Sequence, residues 1–113
     1  MSAITTHVLD TAVGRAAAGV PITLELEEGG AWLLVGKGIT DRDGRLRDLM
    51  PDGQRPTAGV YRLTFDTAAY FAAAGVESFY PVVHVIFRVT RPDQHHHVPL
   101  LLSPFGYSTY RGT

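Results

Sequence analysis

Residues 20–27, Val-Pro-Ile-Thr-Leu-Glu-Leu-Glu, constrain the fold more than any other stretch. Val20, Ile22, Leu24 and Leu26 fall on one side, and Thr23, Glu25 and Glu27 on the other. A period of two describes a strand with one dry face and one wet face. Glu28-Gly29-Gly30 then reads as a hairpin turn, with residues 31–39 as the returning strand. The same punctuation recurs along the chain. Residues 4–9 form a strand, and Thr40 to Arg45 form a turn in which Asp caps and Gly44 supplies a positive φ. Residues 46–58, with Pro51, Gly53 and Pro56, are the longest irregular stretch. Residues 59–65 alternate again. Residues 68–74 are alanine-rich, with Asp66 or Thr67 as N-cap and Gly75 as stop, and are the one good helix. Residues 79–89 are apolar on both faces, as a central or interface strand would be. Arg91-Pro92-Asp93 turns the chain into strands at 95–102 and 105–110. Seven to eight short strands and one short helix predict an all-β sandwich, a single domain over 1–113 without internal repeats.

Composition removes whole classes of function. Ten Lys and Arg against eleven Asp and Glu leave a net charge of −1, which gives no electrostatic case for nucleic acid or an anionic membrane. No apolar run approaches the roughly 20 residues of a membrane span. Cysteine is absent, so disulfides, thiolate catalysis and zinc–thiolate sites are excluded. Met1 to His7 lacks the basic and apolar blocks of a secretory leader, and a cytoplasmic location is expected.

The familiar catalytic signatures are missing: no nucleophile elbow, phosphate loop, dinucleotide fingerprint or His-Glu-x-x-His. Ser103, His97 and Asp10 offer the three residue types of a hydrolytic triad, but nothing in the sequence brings them together. His95-His96-His97 is the most conspicuous cluster. On a strand His95 and His97 face one way and His96 the other. The cluster reads three ways. It is a solvated strand end, half of a metal site that needs a third ligand such as His7, His84 or a carboxylate, or the source of a proton-transferring imidazole. His7 shares a strand face with Thr5 and Leu9, and Arg45 follows Asp43-Gly44 in a turn. Tyr107-Ser108-Thr109-Tyr110-Arg111-Gly112-Thr113 is rich in polar hydrogen-bonding groups where a frayed terminus is the default, and reads either as an edge strand or as a functional segment.

Three segments carry a resemblance. Thr5-Thr6-His7-Val8-Leu9-Asp10 with Gly14-Arg15 resembles the N-terminal signature of the transthyretin-related proteins. Asp41-Arg42-Asp43-Gly44-Arg45 is similar to their second block. His97-Val98-Pro99 through Tyr110-Arg111-Gly112-Thr113 is similar to the third, which usually ends Tyr-Arg-Gly-Ser. The likeness spans the chain in order. The family has a branch that hydrolyses 5-hydroxyisourate in urate breakdown and a branch that carries hormone. The hydrolase branch is marked by residues that fall here on His7, Arg45, His97 and the terminal tetrapeptide, with Thr113 in place of serine.

The resemblance implies a transthyretin-like sandwich assembled as a homotetramer, a dimer of dimers, with the site in a cleft between subunits. It implies opening of the six-membered ring of 5-hydroxyisourate to 2-oxo-4-hydroxy-4-carboxy-5-ureidoimidazoline, with no metal and no cofactor. His7 and His97 activate water and move protons, Arg45 holds substrate oxygens and stabilises charge, and Tyr110, Arg111, Gly112 and Thr113 bind substrate. The alternatives are a small-molecule carrier without catalysis, a histidine-dependent metalloenzyme built on residues 95–97, and an interaction module.

Overall fold

The computed structural model describes residues 3–113. Met1 and Ser2, which belong to the stretch read for a leader and to the 1–113 unit, lie outside the described residues. The described chain forms nine strands and one helix. In order these are β1 (Ile4–Asp10), β2 (Arg15–Ala16), β3 (Pro21–Glu28), β4 (Ala31–Ile39), β5 (Arg45–Leu46), β6 (Gly59–Phe65), α1 (Thr67–Ala73), β7 (Val83–Val89), β8 (His96–Ser103) and β9 (Gly106–Thr109). One sheet has the order β4-β3-β6-β7; the other runs β2-β1-β8-β9, with β5 also paired to β1.

The alternation in β3 does what its period requires. Ile22 and Leu24 point inward and are buried, and they meet Phe65 and Leu63 in the β6 register. From the other sheet Ile4, Val8, Leu100 and Leu102 close the core. Fully burying side chains of this size contributes about 1.5–3 kcal/mol each. The helix begins at Asp66, whose Oδ1 accepts the Ala69 N–H at 3.0 Å. Its Tyr70 hydroxyl donates to Asp10 Oδ2 at 2.7 Å, fastening the helix to the end of β1.

Two expectations change. The run at 79–89, read as a central or interface strand, becomes a strand only from Val83, and β7 is an edge strand of its sheet, paired with β6 alone, which removes the central alternative. Its open face carries His84, Ile86 and Arg88, with Ile86 60% exposed. The two-residue strands β2 and β5 are additions. Both lie along one side of β1, at Leu9–Asp10 and Thr6–His7, while β8 runs parallel along the other.

That arrangement positions the chemistry. In β1 the side chains of Ile4, Thr6, Val8 and Asp10 face the core, so Thr5, His7 and Leu9 face outward. In β8 His96, Val98, Leu100 and Leu102 face the core, so His97 faces outward beside Thr5.

Candidate active site

Each strand delivers one group to the outer face of the β1/β8 sheet. His7 lies opposite Arg45 in the β1/β5 ladder, and Thr5 lies opposite His97 in the β1/β8 ladder. The turn before β5 sets Arg45 in place. Asp41 Oδ1 accepts the backbone N–H of Asp43 at 2.9 Å and of Arg45 at 3.0 Å. Those bonds, that of Arg45 foremost, hold the Asp41 carboxyl below the usual carboxylate range. Gly44 has φ +75°, and a Cβ there would meet the Val8 carbonyl oxygen at 2.4 Å. The turn can therefore press against β1 only with glycine at this position.

A cleft of about 150 Å³ opens on this face, lined by Thr5, Thr6, Arg45, Arg47, His95, His97 and Thr113. His97 is half-buried in it. Burial first, and then the charges of His95, His7 and Arg45, hold its imidazole below the ordinary histidine range. The ring is therefore a neutral proton acceptor at neutral pH. The Arg45 guanidinium beside it presents a fork of donors suited to an oxyanion.

The C-terminal tetrapeptide divides. The Gly112 N–H donates to the His97 carbonyl at 2.8 Å, and Thr113 lines the cleft. Tyr110 and Arg111 instead line a neighbouring cavity with Val85, Phe87 and His96. Gly112 packs flat on the catalytic candidate: a Cβ there would lie 2.6 Å from His97 Cδ2.

Ser103, His97 and Asp10 do not form a triad. Ser103 stands six positions along β8 from His97, about 20 Å at strand spacing, and its hydroxyl donates to the Gly106 carbonyl. Asp10 faces the core and accepts from Tyr70. Among the described residues no three His, Asp or Glu side chains converge to hold a metal ion. His96 points into the sandwich, 5% exposed, with its Nδ1 unpartnered among the described residues. A larger cavity of about 820 Å³ lies on the other sheet, lined by residues including Ile22, Lys37, Ile39, Asp66 and Val82, and holds no imidazole.

Sequence reasoning missed Thr5, Thr6, Arg47 and His95 as cleft residues. Thr5 and His95 carried a usable signal, since each stands two residues before a candidate histidine on its own strand face.

Residues 4–112 match the HIUase/Transthyretin family. The 5-hydroxyisourate hydrolase of Mus musculus is 46% identical over 115 residues, covering 99% of this chain and 96% of the relative. Among solved structures, the Klebsiella pneumoniae 5-hydroxyisourate hydrolase superposes with a TM-score of 0.87 at 35% identity, over 100% of both chains. Transthyretin from Sparus aurata superposes with a TM-score of 0.89 at 34% identity, over 99% of this chain and 97% of that one. An (S)-allantoin synthase structure matches with a TM-score of 0.88 at 38% identity, and there the likeness covers 97% of this chain but 43% of the longer one.

Proposed function

The chain belongs to the HIUase/transthyretin family, and from that premise we propose that it is a hydrolase that opens the ring of 5-hydroxyisourate in urate degradation. Backbone likeness does not choose between the branches, because a hydrolase and a transthyretin superpose almost equally well. The choice rests on one observation: the imidazole of His97, its pKa lowered, and the guanidinium of Arg45 line one cleft, and His7 stands opposite Arg45 on the same sheet face, outside the cleft lining. An apolar hormone channel has no use for that set; an amide hydrolysis needs it.

In this reading neutral His97 takes a proton from water as the water oxygen bonds to the ring carbonyl carbon. Arg45 carries the negative charge that develops on the carbonyl oxygen. As the C–N bond breaks, the proton goes to the departing ring nitrogen, and the product is the carboxylated ureidoimidazoline. His7, beside Arg45, is the second proton-transfer and orienting group. Gly112 and Thr113 bound the substrate at the cleft, and Tyr110 and Arg111 contribute from the adjoining cavity. The substrate's activated ring makes orientation with one or two imidazoles sufficient, so neither metal nor cofactor takes part.

The single unit 1–113 assembles as a homotetramer, a dimer of dimers, in the cytoplasm. Two features support assembly. The strands β7 and β9 are open edges. A cleft of about 150 Å³ is also smaller than the roughly 300–1,000 Å³ of ordinary ligand pockets, and a second copy across the outer face would deepen it. Light scattering should give four chains per particle.

The test is spectroscopic. Urate oxidase generates 5-hydroxyisourate in the cuvette, and the decay of its ultraviolet band is followed with and without the protein. Decay accelerated in proportion to protein concentration is expected. Decay at the buffer rate, with tight binding of a hydrophobic ligand instead, would make the chain a carrier.

A further inference from the structure

The hydrolytic reading uses His97 but leaves unused the hydroxyl that touches it. Thr5 Oγ1 lies 2.8 Å from His97 Nδ1 and 2.9 Å from His95 Nε2. The two rings are 6.4 Å apart and inclined by 29°, with Thr5 between them. Thr5 is 5% exposed, so water does not compete freely for its oxygen.

A hydroxyl has one proton to donate. Between two imidazole nitrogens it donates to one and accepts from the other. That leaves two arrangements. In the first, His97 Nδ1–H donates to Thr5, and Thr5 donates to a bare His95 Nε2; the opposite nitrogen of His97, Nε2, is then a free base. In the second, His95 Nε2–H donates to Thr5, and Thr5 donates to a bare His97 Nδ1; His97 Nε2 then carries a proton and is an acid. The tautomers of the two rings are thus tied together through one oxygen.

We propose that Thr5 and His95 are positioning residues that form a reversible two-state proton relay behind His97. The proposal rests on His97 being the base of the hydrolysis. Water gives its proton to His97 Nε2. The Nδ1 proton moves to Thr5 Oγ1 as the Thr5 proton moves to His95 Nε2, which leaves His97 neutral and His95 an imidazolium. When the C–N bond breaks, His97 Nε2–H goes to the departing nitrogen, and the relay runs backward to refill His97 Nδ1. Every proton taken is returned, and no co-reactant is needed.

Electrostatics gives the relay a purpose. His97 faces His7 from β1, Arg45 from β5 and His95 on its own segment, with Arg47 lining the same cleft. A positive charge held on His97 is opposed by these groups. His95 is exposed, lines a solvent-open cavity with Arg55 and Asp93, and has Arg111 Nη2 only at its carbonyl oxygen, 3.5 Å away. Moving the charge outward to His95 puts it on the more exposed ring, where water solvates it.

The test combines ¹⁵N–¹H spectra of histidine-labelled protein with the hydroxyisourate assay. In the wild type, one bridging nitrogen should show the shift of a protonated ring nitrogen and the other that of a bare one. Thr5→Val should release both rings to the tautomer mixture of free imidazole. It should also lower kcat about 10- to 100-fold, with KM within about threefold, and move the acid limb of the pH profile, while melting temperature and particle size stay near wild type. Thr5→Ser restores the hydroxyl and should recover most of kcat. His95→Gln, which cannot relay, should lose kcat to a similar degree even if Thr5→Val fails to fold. Unchanged kcat in His95→Gln, or unchanged ring tautomers in Thr5→Val, would overturn the relay. A wild type without hydrolytic turnover would sink the hydrolase reading separately, and opposed tautomers in that protein would still support the bridge.

Discussion

Two threonine–histidine pairs stand on the outer faces of the two sheets. Thr5 and His97 are direct partners across the parallel β1/β8 pair, and Thr64 and His84 are direct partners across the antiparallel β6/β7 pair. Their hydrogen bonds, at 2.8 and 2.9 Å, are alike. The surroundings are not. His84 is exposed on an edge strand, and Thr64 borders a cavity without imidazoles. His97 is half-buried, flanked by His7, Arg45 and His95, and covered by Gly112. A cross-strand hydroxyl–imidazole bond is therefore ordinary sheet chemistry. It becomes a candidate site only where burial lowers the proton affinity of the ring and a fixed cation waits beside it.

The most damaging change to the first pair should be loss of that cation. Arg45→Ala should lower kcat/KM by about 10²–10³-fold, the loss expected when a donor to a developing oxyanion is removed. Melting temperature and particle size should hold, because β5 is two residues long and the side chain lies outside the core. Retention of more than a tenth of wild-type kcat/KM would remove Arg45 from the mechanism.

Gly112→Ala comes next. Its Cβ would lie 2.6 Å from His97 Cδ2, so the ring or the tetrapeptide must shift. A displacement of about 1 Å can cost roughly 100-fold in rate. Full activity in this variant would mean that the tail moves freely and does not support His97.

A smaller effect sharpens the electrostatic contrast. His97 works as a base only when neutral, and its pKa is lowered from the ordinary 6.5. Activity should therefore persist as pH falls through 6.5 and decline only below it, when the ring gains its proton. Arg45→Gln removes one of the charges that lower this pKa, so in its residual activity the acid limb should move toward higher pH. A limb that starts above 6.5 in the wild type, or moves downward in Arg45→Gln, would contradict the assignment. The smallest effect is expected from chelation. Dialysis against EDTA should leave kcat/KM unchanged, whereas loss restored by zinc would revive the histidine-cluster metal site.

The two pairs also show which parts of the molecule were legible. Strands β3 and β6 announced themselves because they are long enough to alternate, and the helix because Asp66 and Gly75 bracket it. Strands β2 and β5 were illegible, since two residues cannot display a period. The run at 79–89 reads as a central or interface strand, but in β7 Val83, Val85 and Val89 share the buried face and Ile86 stands between His84 and Arg88 on the open one, which fits an edge strand and not a central one. At the site, His95 and His97 were correctly expected to share a side. Their meeting with Thr5 was not expected, because it depends on a parallel pairing across some ninety residues. The family likeness named His7, Arg45 and His97 together, but treated the terminal tetrapeptide as one unit. Period two alone separates Tyr110 and Arg111 poorly from Gly112 and Thr113, and the bridge from Gly112 to His97 is what divides them.

The central claim is that the outer face of the β1/β8 sheet, and not its counterpart across β6/β7, hydrolyses 5-hydroxyisourate. The most direct measurement follows the decay of freshly generated substrate with His97→Ala and His84→Ala side by side, at equal concentration and with equal particle size confirmed. The account predicts that His84→Ala matches wild type, whereas His97→Ala loses about 10²–10⁴-fold in kcat/KM, the range of a general acid–base group. Wild-type turnover in His97→Ala, or an equal loss in both variants, would contradict it.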